Sequence, residues 1–290
     1  MLLRLAAVAF LLCSPVDAAA GTRTKAKGRI STQLPRQRRG EYDVFLVIGQ
    51  SNMAGRGEIL SVDRGVIEGV WILDSADRIV PADAPLNRWS TVRKSRKMQG
   101  LNPAYAFSRK VAKTTGRRIL LVMNARGATT LGQWMKDAPE YFYRTAAGDD
   151  PEKDGLPIPS LYGEAVRRGL EGMKHGTLRA ILWHQGEGNS SQSNAPHYLK
   201  QLSQFVSQLR GDLGVGEEVP FIAGEICYDY ENAVYFNPEI MRIGEAVKNG
   251  HAVSAEGCAS RPDNVHFSRE GQLLLGERYA DAVLKTVYNQ

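Results

Sequence analysis

The sequence predicts an α/β fold: a single domain of three layers, α/β/α, with helices covering both faces of a mostly parallel central sheet. Short apolar runs of strand length alternate along the chain with longer segments whose apolar residues recur at helix spacing. Strands separated by helices call for right-handed crossovers and hence parallel pairing. The glycine-bearing polar stretches, moreover, fall where strands end, the place where open α/β sheets bind ligands.

The first strand is 44–48, an apolar run that ends in Gly49-Gln50-Ser51-Asn52-Met53-Ala54-Gly55. A second strand is expected at 70–74, with Ile79–Pro81 pairing beside it as a small hairpin. Pro103–Thr115 has helix spacing, with Pro103 in the first turn and Gly116 closing it. Residues 119–124 form the next strand, followed by a turn over 126–130 and then Trp134. A polar, proline-rich loop occupies 148–159. Ser160 caps a helix to about 175, with Leu161, Ala165, Val166 and Leu170 on one face. A strand at 180–183 runs into His184-Gln185-Gly186-Glu187, and 197–213 is an amphipathic helix. The chain then reads as strand 220–224, helix 238–250, strand 252–255, a loop over 256–268, and a final helix 271–288.

Three segments are expected. Residues 1–20 have a positive start at Arg4, an apolar run over 5–12 and small residues up to Ala20, the pattern of a secretory signal peptide. Residues 21–40 carry Arg23, Lys25, Lys27, Arg29, Arg36, Arg38 and Arg39 and no acid, and read as a basic disordered leader. Residues 41–290 form the domain. The net charge of +6 belongs to that leader, so the domain is close to neutral and has no footprint for nucleic acid. No other apolar run approaches ~18 residues, so no stable membrane insertion is expected. Localisation is expected to be secreted or periplasmic. Cys227 and Cys258 then either pair or remain two separately buried thiols, and their positions leave both open.

The chemistry-bearing residues sit at the strand ends. Ser51 follows a rigid strand and faces open space, which suits a nucleophile; an N-cap serine is the plain structural alternative. Asp263 and His266 share the loop before the last helix, close enough for the carboxylate to orient the ring. His175, His197 and His251 fall on helices or helix ends; only His184 and His266 lie in strand-end loops. The order Ser, Asp, His is that of α/β-hydrolases, but their Gly-x-Ser-x-Gly elbow fails at Met53. The phosphate-binding loop and the metal-binding His-Glu-x-x-His helix are both missing from the sequence.

Three blocks, Gly49 to Gly55, Trp183-His184-Gln185-Gly186-Glu187 and Asp263-Asn264-Val265-His266-Phe267, resemble the signatures of the sialate O-acetylesterase-like carbohydrate esterases. These are SGNH-type hydrolases and include acetylxylan esterases. The resemblance covers nearly all of 42–284 and implies an SGNH/flavodoxin-like fold and a serine esterase that needs no organic cofactor and no metal. It implies Ser51 as nucleophile, His266 as base and Asp263 as its orienting acid. The oxyanion would be held by backbone N–H groups of Ser51 and of the Gly127–Ala128 turn and by the Gln185 amide. Gln50, Asn52 and Glu187 would support them, Glu187 by hydrogen bonding. Three positions depart from the family pattern. Ala128 stands where a second glycine is common, Asn189 where Asp is usual, and Asn102 where Gly precedes Pro. Ala128 is strained if that position has positive φ.

An acetylated carbohydrate is the expected partner, with Trp89, Trp134 and Tyr162 as candidates to stack on a sugar. Two other readings are an esterase or lipase acting on non-sugar esters, and a non-catalytic glycan-binding protein. The sequence leaves the oligomeric state open.

Overall fold

Tyr42–Gly49 (β1) is buried along its whole length, because its side chains alternate between two apolar layers. Phe45 and Val47 point into one core, and Val44, Leu46 and Ile48 into the other. The computed structural model describes residues 41–138 and 160–290. The expected signal peptide, the basic leader and the 148–159 loop lie outside the described residues.

Six further strands join β1: Val70–Leu73 (β2), Ile79–Pro81 (β3), Ile119–Ala125 (β4), Gly176–His184 (β5), Phe221–Gly224 (β6) and Gly250–Val253 (β7). The seven-stranded sheet has the order β3-β2-β4-β1-β5-β6-β7. All neighbours are parallel except the β2–β3 hairpin. The expected three-layer α/β fold is therefore the fold observed. The chain leaves β1 toward one edge and later crosses to the other, so β1 is the switch point. In open α/β sheets such a point, outside the carboxyl ends of β4, β1 and β5 here, is where the ligand crevice lies.

The helices are Ser51–Ala54 (α1), Pro103–Thr115 (α2), Leu161–Met173 (α3), Ala195–Leu213 (α4), Ala233–Ile240 (α5), Ile243–Ala246 (α6) and Arg269–Tyr288 (α7). α2 and α7 cover one face of the sheet; α3 to α6 supply the core on the other. Among the described residues, no helix is long and apolar enough to cross a membrane.

Four expectations are corrected. The single helix over 238–250 is two short helices, and α5 begins at Ala233 with Pro238 inside it, because Ala233, Phe236 and Ile240 form the buried stripe. His251 lies in strand β7, not at a helix end. Leu170 is exposed; α3 is rotated so that Arg168, Gly169 and Gly172 face inward. Trp134 and Tyr162 are core residues: Trp134 packs edge-on against Trp183, and Tyr162 against Phe205. Neither is presented to a ligand, while Trp89 is only partly buried and lies under Arg88. Cys227 and Cys258 are both free and buried.

Candidate active site

Gly49 is the hinge between β1 and the site. Its φ is +139°, and a Cβ there would sit 2.1 Å from the His184 carbonyl oxygen. Only glycine lets the two strand ends come so close, and the Gln50 N–H then donates to that same carbonyl at 2.8 Å. The chain turns directly into α1, with Ser51 as its first residue, so the Ser51 N–H has no intrahelical acceptor.

The Ser51 hydroxyl lies 3.0 Å from His266 Nε2. The other ring nitrogen, Nδ1, is 2.9 Å from Asp263 Oδ2. Asp263 Oδ1 also accepts from the backbone N–H of His266 at 2.8 Å and of Val265 at 3.0 Å. Burial works to raise the Asp263 pKa, but the hydrogen bonds from the His266 ring and the two backbone groups outweigh it and hold it at about 2. The carboxylate therefore stays charged and accepts a hydrogen bond from Nδ1–H, which leaves Nε2 to accept from the serine. A serine so paired can attack an acyl carbon while the ring takes its proton.

Gly127, at the end of β4, faces Ser51 across the crevice. A Cβ on Gly127 would sit 3.4 Å from Ser51 Cβ and 2.6 Å from Arg56 Nη2, so a side chain there would fill the space above the serine. The N–H groups of Gly127 and Ala128 donate to no described residue. Ala128 has φ +56°, so the position does require the left-handed region, and alanine occupies it under strain.

Gln185 does not present its amide to this space. It is fully buried; its Nε2 lies 3.1 Å from Gln50 Oε1, 3.1 Å from the Thr129 carbonyl and 2.9 Å from Asn189 Oδ1. Its Oε1 accepts from the Tyr198 hydroxyl at 2.8 Å. Without substrate its two N–H protons face three buried acceptors, so donating to an oxyanion means giving up one of those bonds. Gln185 orients Gln50. Gln50 Oε1 accepts from Gln185 and, at 3.4 Å, from the Gly188 N–H, and its Nε2 donates to no described residue.

Asn189 and Asn102, two of the departures from the family pattern, are structural ties. Asn189 Oδ1 also accepts from the Leu131 N–H at 2.8 Å, and Asn102 Nδ2 donates to the Met53 carbonyl at 3.1 Å. Asn52, beside Ser51, donates to Glu187 Oε1 and to the Val265 carbonyl and accepts from the Phe267 N–H.

Arg56 is the site residue that the sequence reading passed over. Its Nη1 donates to the carbonyls of Gly55 and Met98 at 2.7 and 3.0 Å, and it makes no ion pair among the described residues. Burial, then the nearby Arg261, push its pKa down, and Asp263 opposes them. A cation inside a glycine-rich strand-end turn was the available signal. Among the described residues, no cluster of three His, Cys, Asp or Glu side chains is placed to hold a metal ion.

Comparison with known proteins points the same way. A family model described as "Carbohydrate esterase, sialic acid-specific acetylesterase" matches residues 41–285. A probable carbohydrate esterase of Arabidopsis thaliana is 26% identical over 263 residues, covering 83% of this chain and 90% of the relative. The X-ray structure of that Arabidopsis protein superposes with a TM-score of 0.70 at 25% identity, over 85% of this chain and 99% of the other. A carbohydrate acetylesterase from Xanthomonas citri gives 0.60 at 17% identity, over 86% of this chain and 57% of the other. The structure of NanS gives 0.61 at 16% identity, over 87% and 99%; these two show the shared fold. With a family match that spans the whole sheet and every strand-end loop described, the chain belongs to the sialic acid-specific acetylesterase family of carbohydrate esterases and is a carboxylic ester hydrolase.

Proposed function

We propose that the protein removes O-acetyl groups from a carbohydrate outside the cytoplasm, through an acyl-enzyme formed on Ser51. The observation that carries this reading is the continuous row Ser51 Oγ, His266 Nε2, His266 Nδ1, Asp263 Oδ2, with contacts of 3.0 and 2.9 Å. His266 takes the serine proton as Oγ attacks the acetyl carbon. The C–O bond to the sugar then breaks, and His266 returns the proton to the sugar oxygen. Water repeats the sequence on the acetyl-serine and releases acetate. The backbone N–H groups of Ser51, Gly127 and Ala128 face the developing oxyanion, and the free Gln50 amide is the adjacent side-chain donor. Each such donor contributes roughly 10²–10³ in rate.

Arg56 supports a sugar that carries a carboxylate. Its Nη2 shares the small space beside Gly127 with Ser51, and among the described residues only Asp263, acting without an ion-pair contact, offsets its charge. The composition of residues 1–40 supports export, with 1–20 removed as a signal peptide and 21–40 as a leader.

One experiment addresses both halves. The full chain is expressed with its own N-terminus, and acetate release from acetylated sialic acid and acetylated xylan is followed in exported and cytoplasmic fractions. Activity should appear in the exported fraction and fall by roughly 10⁴-fold or more in Ser51→Ala. Undiminished turnover by that variant would overturn the mechanism, and activity confined to the cytoplasm would overturn the export.

A further inference from the structure

Two ionisable side chains at the end of β5 take no part in the Ser51–His266–Asp263 row. His184 and Glu187 are both buried, and each has a polar atom without a partner: His184 Nε2 and Glu187 Oε2. Groups like these are costly to leave unpaired in a protein interior. They lie together, with His184 Nε2 3.9 Å from Glu187 Oε1.

The hydrogen bonds around them fix where protons sit. The Tyr279 hydroxyl donates to the Trp183 carbonyl at 2.6 Å, so it can only accept from His184 Nδ1, 3.2 Å away. His184 therefore carries its proton on Nδ1, and Nε2 is a bare lone pair facing the Glu187 carboxyl group. The other titratable groups acting on Glu187 are Tyr198 of α4 and Tyr279 of α7; α1 presents Asn52, and the loop before α7 presents backbone at Val265. None of these is a cation. A carboxylate in this pocket would be a buried charge that has hydrogen bonds from Asn52 and nearby backbone but no cation to pair with, and burial outweighs those bonds.

Glu187 is joined to the catalytic row by one side chain. Asn52 Nδ2 donates to Glu187 Oε1 at 2.5 Å and to the Val265 carbonyl at 3.0 Å. Its Oδ1 accepts from the Phe267 N–H at 3.0 Å and from Gln272 Nε2 at 3.3 Å. Val265 and Phe267 bracket His266, and Asn52 follows Ser51. The residue after the nucleophile thus grips the chain on both sides of the base, and Glu187 holds that grip from behind.

We propose that Glu187 is a positioning residue of the esterase: as a neutral acid packed beside a neutral His184, it fixes the His266 loop against Ser51 through Asn52. Burial pushes Glu187 up to about 7 and His184 down to about 3, which agrees with the proton residing on the glutamic acid. The inference rests on the proposed roles of Ser51 and His266, but part of its test reads stability and does not depend on them.

The test compares Glu187→Gln with Glu187→Ala. Glutamine keeps an oxygen for Asn52 and offers an N–H toward His184, so it copies the neutral acid and lacks its ionisation. Glu187→Ala should lower kcat by roughly tenfold to a hundredfold with little change in KM, the size of effect expected from a misplaced base. Glu187→Gln should recover most of that loss. The wild type should also lose melting temperature relative to Glu187→Gln as pH rises from about 4.5 through about 7, because a raised carboxyl pKa stabilises the fold only while the proton is held. An alkaline fall in kcat/KM near that pH should be shallower in the glutamine variant. Equal impairment of both variants would overturn the proposal, as would a melting-temperature difference that does not change with pH. If Glu187→Ala does not fold, the pH comparison with Glu187→Gln decides alone.

Discussion

Ala128 shows what the site demands of a single residue. Its φ of +56° places it in a region that costs an L-residue with a Cβ roughly 1–2 kcal/mol. Its N–H and that of Gly127 donate to no described residue, and strain of this kind persists at functional sites when the surroundings enforce it. Ala128→Gly relieves the strain but adds unfolded-state freedom of about 0.5–1 kcal/mol. The expected net gain is therefore about 0.5 kcal/mol in chemical denaturation, with activity within about twofold of wild type. A loss of stability would mean that the exposed methyl makes a contact worth more than its strain. Arg56 is the complementary case, a residue whose charge rather than its backbone matters. Arg56→Gln should lower kcat/KM on an acetylated sugar bearing a carboxylate by roughly tenfold or more, the worth of a charge-assisted hydrogen bond. A small neutral acetyl ester should be nearly unaffected. Equal loss on both would assign Arg56 to the reacting carbonyl and not to the sugar.

At the scale of elements, the strands and most helices were legible because burial fixes their patterns. β1 is apolar on both faces; α2 and α4 open with a proline in the first turn and close on a left-handed glycine, and α3 and α7 open on a capping serine. That Ser51, Asp263 and His266 come together was legible too, since each lies in a short block at a strand end. What escaped was set by contacts between elements. α3 exposes Leu170 because Gly172 lets the helix approach the sheet: a Cβ there would meet Val122 Cγ2 at 2.6 Å and Val44 Cγ1 at 3.1 Å. No periodicity count sees that the smallest residues, not the largest, face the strands. The same holds for Gln185, which a motif places beside the oxyanion. Its amide is held by Tyr198, thirteen residues later in the first turn of α4, and by Thr129 from the turn after β4. Arg168 escaped for a similar reason. It is fully buried, and its two terminal guanidinium nitrogens donate to the carbonyls of Leu73 and Asp74 and to Asp77 beyond β2.

Across the whole molecule, the site and the main ionic anchor lie at opposite ends of β1. Asp43, near the start of the strand, is fully buried and accepts from Arg179 Nε at 2.7 Å and from the Tyr288 hydroxyl at 2.8 Å. Arg117 completes the cluster, with Nη2 at 3.1 Å and a shorter contact through Nε. One carboxylate thus ties the start of β1 to the segment before β4, to β5 and to the end of α7. Ser51 sits about 20 Å away, beyond the far end of the strand. Asp43→Asn keeps the shape but leaves two arginines facing an amide, a change that costs about 3–5 kcal/mol when a buried pair loses its partner. The melting temperature should fall by roughly 10 °C for a domain of this size. Acetate release per folded molecule should hold at low temperature, because the sheet transmits no charge change to the crevice. A variant that keeps its melting temperature would show the cluster to be dispensable, and one that folds normally but loses kcat would show that the two ends of β1 are coupled.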